Sequence, residues 1–222
     1  MSVFSLWKRL LILFFLALCL SCSACATTVD YYDYVSECRS NIFLAETDGF
    51  SLRAYAVIRE SPYHSDGVVM ERRPRFELYL LAPSGDKTCN LSFQVDGKEY
   101  GGEMSYDNVK AEYYYFCSLD VANAREIACV VSYGEERISL VANSVLQADI
   151  LTPKVALQKL CEVEKTLFSD MTDDYGFAGE IYLRLLYEDA PFYYVGVIDK
   201  DGKSTAFLLD GKTGNVLAKR QN

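Results

Sequence analysis

Cys89-Asn90-Leu91-Ser92-Phe93-Gln94-Val95-Asp96-Gly97-Lys98-Glu99-Tyr100 is the stretch that decides the fold class. Apolar residues occupy every second position from Cys89 to Val95, so an extended chain has one apolar face and one polar face. Asp96-Gly97 is the dipeptide a tight hairpin turn favours, because both central residues of that turn take positive φ. A second extended run over 99–104 follows, and the unit reads as a β-hairpin with one buried face.

The same period extends outward in both directions. Runs over 42–45, 52–58, 76–82, 112–117, 127–133 and 137–142 are short, rich in β-branched and aromatic residues, and separated by turn chemistry. Asp48-Gly49, Pro83-Ser84-Gly85-Asp86 and Gly134-Glu135 supply the other turns. This density of strands predicts an antiparallel β-sandwich of immunoglobulin or fibronectin type over residues 37–149. Residues 60–73, with Pro62, His64 and Gly67, read as an exposed loop. Tyr-rich 30–34 reads as a short tether (26–36) or a first helical turn.

Leu151-Thr152-Pro153 changes the period. Thr152 suits an N-cap and Pro153 the first helical position. Leu157, Leu160, Cys161, Leu167 and Phe168 then fall on one helical stripe, which predicts a helix ending within 169–173. Strands resume at 181–187, 192–198, 205–209 and 216–219, separated by Asp199-Lys200-Asp201-Gly202 and Asp210-Gly211-Lys212-Thr213-Gly214. A helix on a three- or four-strand antiparallel meander is a small α+β module, here residues 150–222. The expected fold is thus mainly β, a sandwich followed by an α+β module.

Two segments of that module resemble a known family. Tyr194-Val195-Gly196-Val197-Ile198-Asp199-Lys200-Asp201-Gly202 and Phe207-Leu208-Leu209-Asp210-Gly211-Lys212-Thr213-Gly214-Asn215-Val216-Leu217 are similar to the PepSY domain, which ends in strand, turn, strand and D-x-x-T-G-x-V. The resemblance covers residues 152–220. It implies a binding or regulatory role on an exported or envelope protein rather than an active site. No family is recognised for the sandwich.

The first residues read as an export signal over 1–25. Lys8 and Arg9 precede the apolar run Leu10 to Leu20, and small residues follow from Ser21. That run is shorter than the ~20 residues a membrane-spanning helix needs. An uncleaved anchor is the competing reading. Ala24-Cys25-Ala26 fits cleavage that releases a chain starting near Thr27. Cys22-Ser23-Ala24-Cys25 resembles a bacterial lipobox, although Cys22 stands where that pattern has Leu, Val or Ile. In that case Cys25 carries the lipid. The expected location is extracytoplasmic, either lipid-anchored or secreted, with membrane contact only through the leader or the lipid.

The formal charge is −9, and it becomes more negative once Lys8 and Arg9 leave with the leader. An acidic chain is repelled by phosphate backbones, which argues against nucleic acid as a partner. Beyond the leader stand Cys38, Cys89, Cys117, Cys129 and Cys161. An odd number leaves at least one unpaired within a single chain. Cys89 and Cys129 sit at inward positions of alternating strands and read as small buried residues.

The catalytic inventory is thin. Nucleophilic hydrolysis needs an imidazole, and the chain has one histidine, His64, in the predicted loop. Gly196 lies one residue too far from Gly202-Lys203-Ser204 for a phosphate loop. Asp199-x-Asp201-Gly202 starts like a calcium loop, but a strand begins where further ligands belong. No catalytic, cofactor or metal residue is expected. Consecutive tyrosines at 113–115 and 193–194 must face alternate sides of their strands. Tyr114 and Tyr194 are the candidate surface contacts, and tyrosine suits protein, peptide or sugar. The expected function is non-enzymatic binding of an envelope protein or peptide, with carbohydrate binding and a carboxylate-dependent hydrolase as alternatives.

Overall fold

The computed structural model describes residues 29–62 and 70–221. Cys25 and His64 lie outside them. The described residues are mainly β, with fifteen strands and two α-helices. Thirteen strands belong to one sheet.

The N-terminal half contains β1 (Val35–Thr47), β2 (Phe50–Glu60), β3 (Arg72–Leu81), β4 (Cys89–Val95), β5 (Lys98–Glu103), β6 (Ser105–Asp107), β7 (Glu112–Cys117), β8 (Glu126–Tyr133) and β9 (Glu136–Ser144). Helices α1 (Pro153–Val163) and α2 (Lys165–Asp170) follow. A two-residue pair comes next, β10 (Thr172–Asp173) with β11 (Gly176–Phe177). Then come β12 (Gly179–Tyr187), β13 (Pro191–Asp199), β14 (Ser204–Asp210) and β15 (Val216–Gln221).

The sheet runs β15-β14-β13-β12-β1-β2-β3-β7-β6, with a branch β1-β9-β8-β4-β5. Strand β1 is the fork. Its first half, from Val35 to Arg39, pairs in parallel with β12. Phe43 and Leu44 pair with Ser144 and Asn143 of β9, respectively. A bulge at Ser40 separates the two halves, and a bulge bends a strand and sharpens its twist. Asn41, fully buried beside it, holds the bend. Its amide donates to the carbonyls of Ala122 and Ala124, and its oxygen accepts from Ile42 N and Ser144 Oγ.

Two hydrophobic cores result. Phe43, Phe76, Leu78, Leu80, Phe93, Tyr113 and Tyr133 belong to the first. The second packs Ala156, Leu157, Leu160 and Phe168 of the helices on Ile181, Leu183, Tyr193, Val195 and Phe207. Strand β1 serves both, giving Phe43 to one and Val35, Cys38 and Ile42 to the other. The two halves expected from the sequence are therefore joined by one continuous sheet.

Several expectations need correction. Strand β1 starts at Val35, seven residues before the apolar run that signalled it. The lead-in Tyr31–Tyr34 is a 3-10 turn, the second of its two readings. It is packed rather than free, with Tyr31 against Phe168 and Phe177 at 4.9 and 5.5 Å between ring centroids. The helix starts where Thr152 caps it, accepting from Val155 N, but it breaks at Glu164 into α1 and α2. No helix among the described residues is long and apolar enough to cross a membrane.

Among the described residues, Cys38, Cys89, Cys117, Cys129 and Cys161 are free thiols. Cys89 and Cys129 are buried as their alternation predicted. Burial pushes the Cys89 thiol up to about 11 and the Cys129 thiol up to about 12.

The turn at 210–214 explains its own motif. Asp210 Oδ1 accepts from Lys212 N, Thr213 N and Thr213 Oγ1, and Gly214 takes a φ of +76° that a β-carbon disfavours. Those hydrogen bonds from the two backbone N–H groups hold the Asp210 carboxyl below its ordinary value of 3.8. The folded state therefore favours the carboxylate, and the stabilisation is complete above the ordinary value and fades as pH falls below it. Asp210→Ala is expected to cost about 1 kcal/mol at neutral pH, the scale of a lost side-chain cap. Urea unfolding at neutral pH and at a pH below the ordinary value checks this: the difference from wild type should shrink in acid.

Candidate binding face

The outward side of β1, β2, β3 and β7 concentrates cations and aromatic rings. Alternation puts them there. Leu52, Ala54 and Ala56 of β2 and Phe76, Leu78 and Leu80 of β3 are buried, so Arg53, Tyr55, Arg75, Glu77 and Tyr79 face the other way. On β7 Tyr113 is buried, which turns Tyr114 and Phe116 outward. Neighbouring rings form a stripe across the strands. Tyr55 and Tyr79 are 5.7 Å apart, Tyr79 and Phe116 6.1 Å, and Phe116 and Tyr114 5.0 Å.

Cations cover several ring faces. The Arg39 guanidinium lies 3.8 Å from the Tyr55 centroid and Arg75 lies 4.1 Å from that of Phe116. Lys110 Nζ is 5.6 Å from the Tyr79 ring. Arg75 also pairs with Glu77 at 2.9 Å, and Tyr79 Oη donates to Glu77 Oε2. Burial, and then the Glu77 charge, raises the Tyr79 phenol above its ordinary range. Beside the stripe, the buried Glu37 carboxylate accepts from Arg184 Nε at 2.6 Å and lies 3.4 Å from Arg59 Nε.

A cleft of about 300 Å³ opens on this face, lined by Arg39, Ser51, Arg53, Tyr55, Tyr79, Leu81, Lys110 and Glu112. The Arg39 side chain is half-buried, and its Nε is buried with no hydrogen-bond partner. Burial holds the Arg39 pKa below the ordinary guanidinium value. Among the described residues, neither Arg39 nor Arg53 pairs with a carboxylate. Lys110 is 3.7 Å from Glu112.

The two tyrosines singled out by sequence are both outward and half-buried. The fold does not bring them together. Tyr114 belongs to the stripe, whereas Tyr194 sits on β13 opposite Arg184 and Leu208. Strands β12, β1, β2 and β3 separate them, about 24 Å at the usual strand spacing. The other tyrosines of those runs are structural. Tyr113 Oη donates to Lys87 O, Tyr115 Oη to Gly101 O and Tyr193 Oη to Leu151 O.

The sequence reading missed Arg39, Arg53, Tyr55, Arg75, Tyr79 and Phe116. The signal was present in Arg53-x-Tyr55 and Arg75-x-Glu77-x-Tyr79, which place cations and rings at the outward positions of amphipathic strands. Among the described residues no group of three or more His, Cys, Asp or Glu side chains is placed to hold a metal ion. No protein-family model, curated protein or solved structure matches this chain.

Proposed function

We propose that this chain is a non-enzymatic binding protein of the cell envelope, which engages an acidic protein or peptide through the β2–β3–β7 face. The observation that carries the reading is the stripe of Tyr55, Tyr79, Phe116 and Tyr114 interleaved with Arg39, Arg53, Arg75 and Lys110. Aromatic residues and arginine are the side chains enriched at protein interfaces and at their energetic centres. The chain as a whole is acidic, with 31 acidic and 22 basic residues, so a face where cations outnumber carboxylates selects for negative partners.

The order of basic, apolar and small residues over 1–25 supports export, with Cys25 lipidation or release near Thr27 as the two ends of that route. The helices packed on β12–β15 support a PepSY-like reading of residues 152–220, and the first core supports a sandwich-like reading of 37–149, the two sharing β1. Sugar binding by stacking needs open ring faces, but Arg39 covers Tyr55, Arg75 covers Phe116, and Tyr114 stacks on Phe116. The peptide reading is preferred for that reason. The cleft on this face carries Glu112 among cations rather than a pair of convergent carboxylates, which favours binding over hydrolysis.

The test is a pull-down from envelope extract with full-length protein as bait, comparing wild type with the Tyr114→Ala/Phe116→Ala pair. Both side chains face outward, so thermal unfolding should stay close to wild type. One protein retained by wild type and depleted at least about tenfold by the pair is the expected result. Equal retention by both baits, or retention of nothing, overturns the reading.

A further inference from the structure

The cleft over Tyr55 narrows the ligand chemistry, and this inference rests on the binding reading above. We propose that it is a carboxylate pocket that receives an acidic side chain of a bound peptide, with Arg39 as its anchor and Arg53 and Lys110 as flanking cations.

Three observations combine. The Arg39 guanidinium is stacked on Tyr55 at 3.8 Å, which fixes the plane of its donor fork before any ligand arrives. Its Nε is closed off from solvent by the protein, so the rest of the guanidinium is what the side chain can offer to the cleft it lines. In addition, Arg53 lines the same cleft and pairs with no carboxylate among the described residues, in a chain where acids outnumber bases.

A planar fork matches a planar two-oxygen acceptor, and such paired bonds are the strong, directional ones. The cleft, at about 300 Å³, is at the lower limit of small-molecule pockets, which suits one side chain rather than a large ligand. Tyr79 lines the cleft and also belongs to the stripe that continues to Phe116 and Tyr114. The chain attached to the carboxylate therefore has an aromatic track to follow.

The test uses full-length protein in mild detergent and fluorescein-labelled hexaglutamate and hexaglutamine, both amidated at the C-terminus, read by fluorescence polarisation at low salt. Hexaglutamate is expected to bind and hexaglutamine not to bind. Arg39→Gln should weaken hexaglutamate roughly tenfold or more, as expected for losing a hydrogen bond to a charged group. Arg39→Lys should fall between, keeping the charge but not the fork. Arg53→Gln should also weaken binding, and because Arg53 is exposed on β2, its loss is read in a folded protein. Equal binding of the two peptides, or wild-type binding by the Arg39→Gln/Arg53→Gln pair, overturns the pocket. A preference for oligogalacturonate over hexaglutamate overturns the peptide assignment. If the Arg39→Gln/Arg53→Gln pair still retains the envelope partner that the Tyr114→Ala/Phe116→Ala pair loses, the binding face stands and the carboxylate pocket falls.

Discussion

A chain ending at Asp149 is expected to aggregate rather than fold as a free-standing sandwich. Cutting there removes β12, and with it the partner along Val35 to Arg39 of β1. The freed edge carries backbone groups that had been paired, and an unprotected strand edge is a template for pairing with another chain. The cut also uncovers Val35 and Ile42, which are 0% and 2% exposed in the whole chain. Re-exposing such side chains costs about 1.5–3 kcal/mol apiece. Glu37, 7% exposed, loses Arg184 and keeps only the longer contact to Arg59. Together these losses are comparable with the ~5–15 kcal/mol that holds a typical domain folded. Size-exclusion chromatography and thermal unfolding of the 27–149 fragment beside 27–222 make the comparison. A monomeric fragment with a cooperative transition would show that the first core stands without β12.

Phe76→Ala is expected to be the most damaging single truncation near the binding face. Phe76 is fully buried on β3, in register with Ala56 of β2 and Cys117 of β7. Its ring meets Phe43 edge-on at 5.9 Å and Phe93 at 5.4 Å. Phe43 lies on β1 and Phe93 on β4, so Phe76 spans the core between opposite arms of the sheet. Removing it leaves a cavity that three strands line and none can fill. A buried Phe→Ala change costs about 3–5 kcal/mol, which lowers the melting temperature by roughly 6–20 °C for a domain of this size. Differential scanning calorimetry on the full-length protein reads it directly. A fall of a degree or two would mean that the core collapses around the gap. Ligand binding at low temperature should survive where the variant remains folded, because Arg75 and Glu77 point to the opposite side of β3.

Most strands were legible because their signal is local. Cys89–Val95 and Glu112–Cys117 begin and end where alternation placed them. The start of β1 was hidden by the polar run Ser36 to Asn41. Those residues are extended because Glu37 has Arg184 and Arg59 to pair with, and Asn41 has a loop and β9 to bond. Strand β6 was too short and polar to show a period. The helix break at Glu164 has no glycine or proline to announce it. At the binding face, outward Tyr114 was readable from its position between Tyr113 and Tyr115. The Arg39–Tyr55 stack was not, since the bulge at Ser40 sets which way Arg39 points relative to β2.

What the sequence by itself determined is the β class, the hairpin turns, the helix start at Thr152 and the inward face of the clearly alternating strands. Each depends on residues a few positions apart: a two-residue period, an Asp-Gly pair, a cap and its proline. What only the tertiary structure decided is that β1 forks, that it pairs in parallel with β12, and that one face gathers the cations and rings. Those outcomes rest on partners far apart in the chain, such as Glu37 and Arg184, 147 residues from each other. Short-range chemistry decides whether most segments are extended. Which edge it joins is decided by groups that meet only once the sheet has formed.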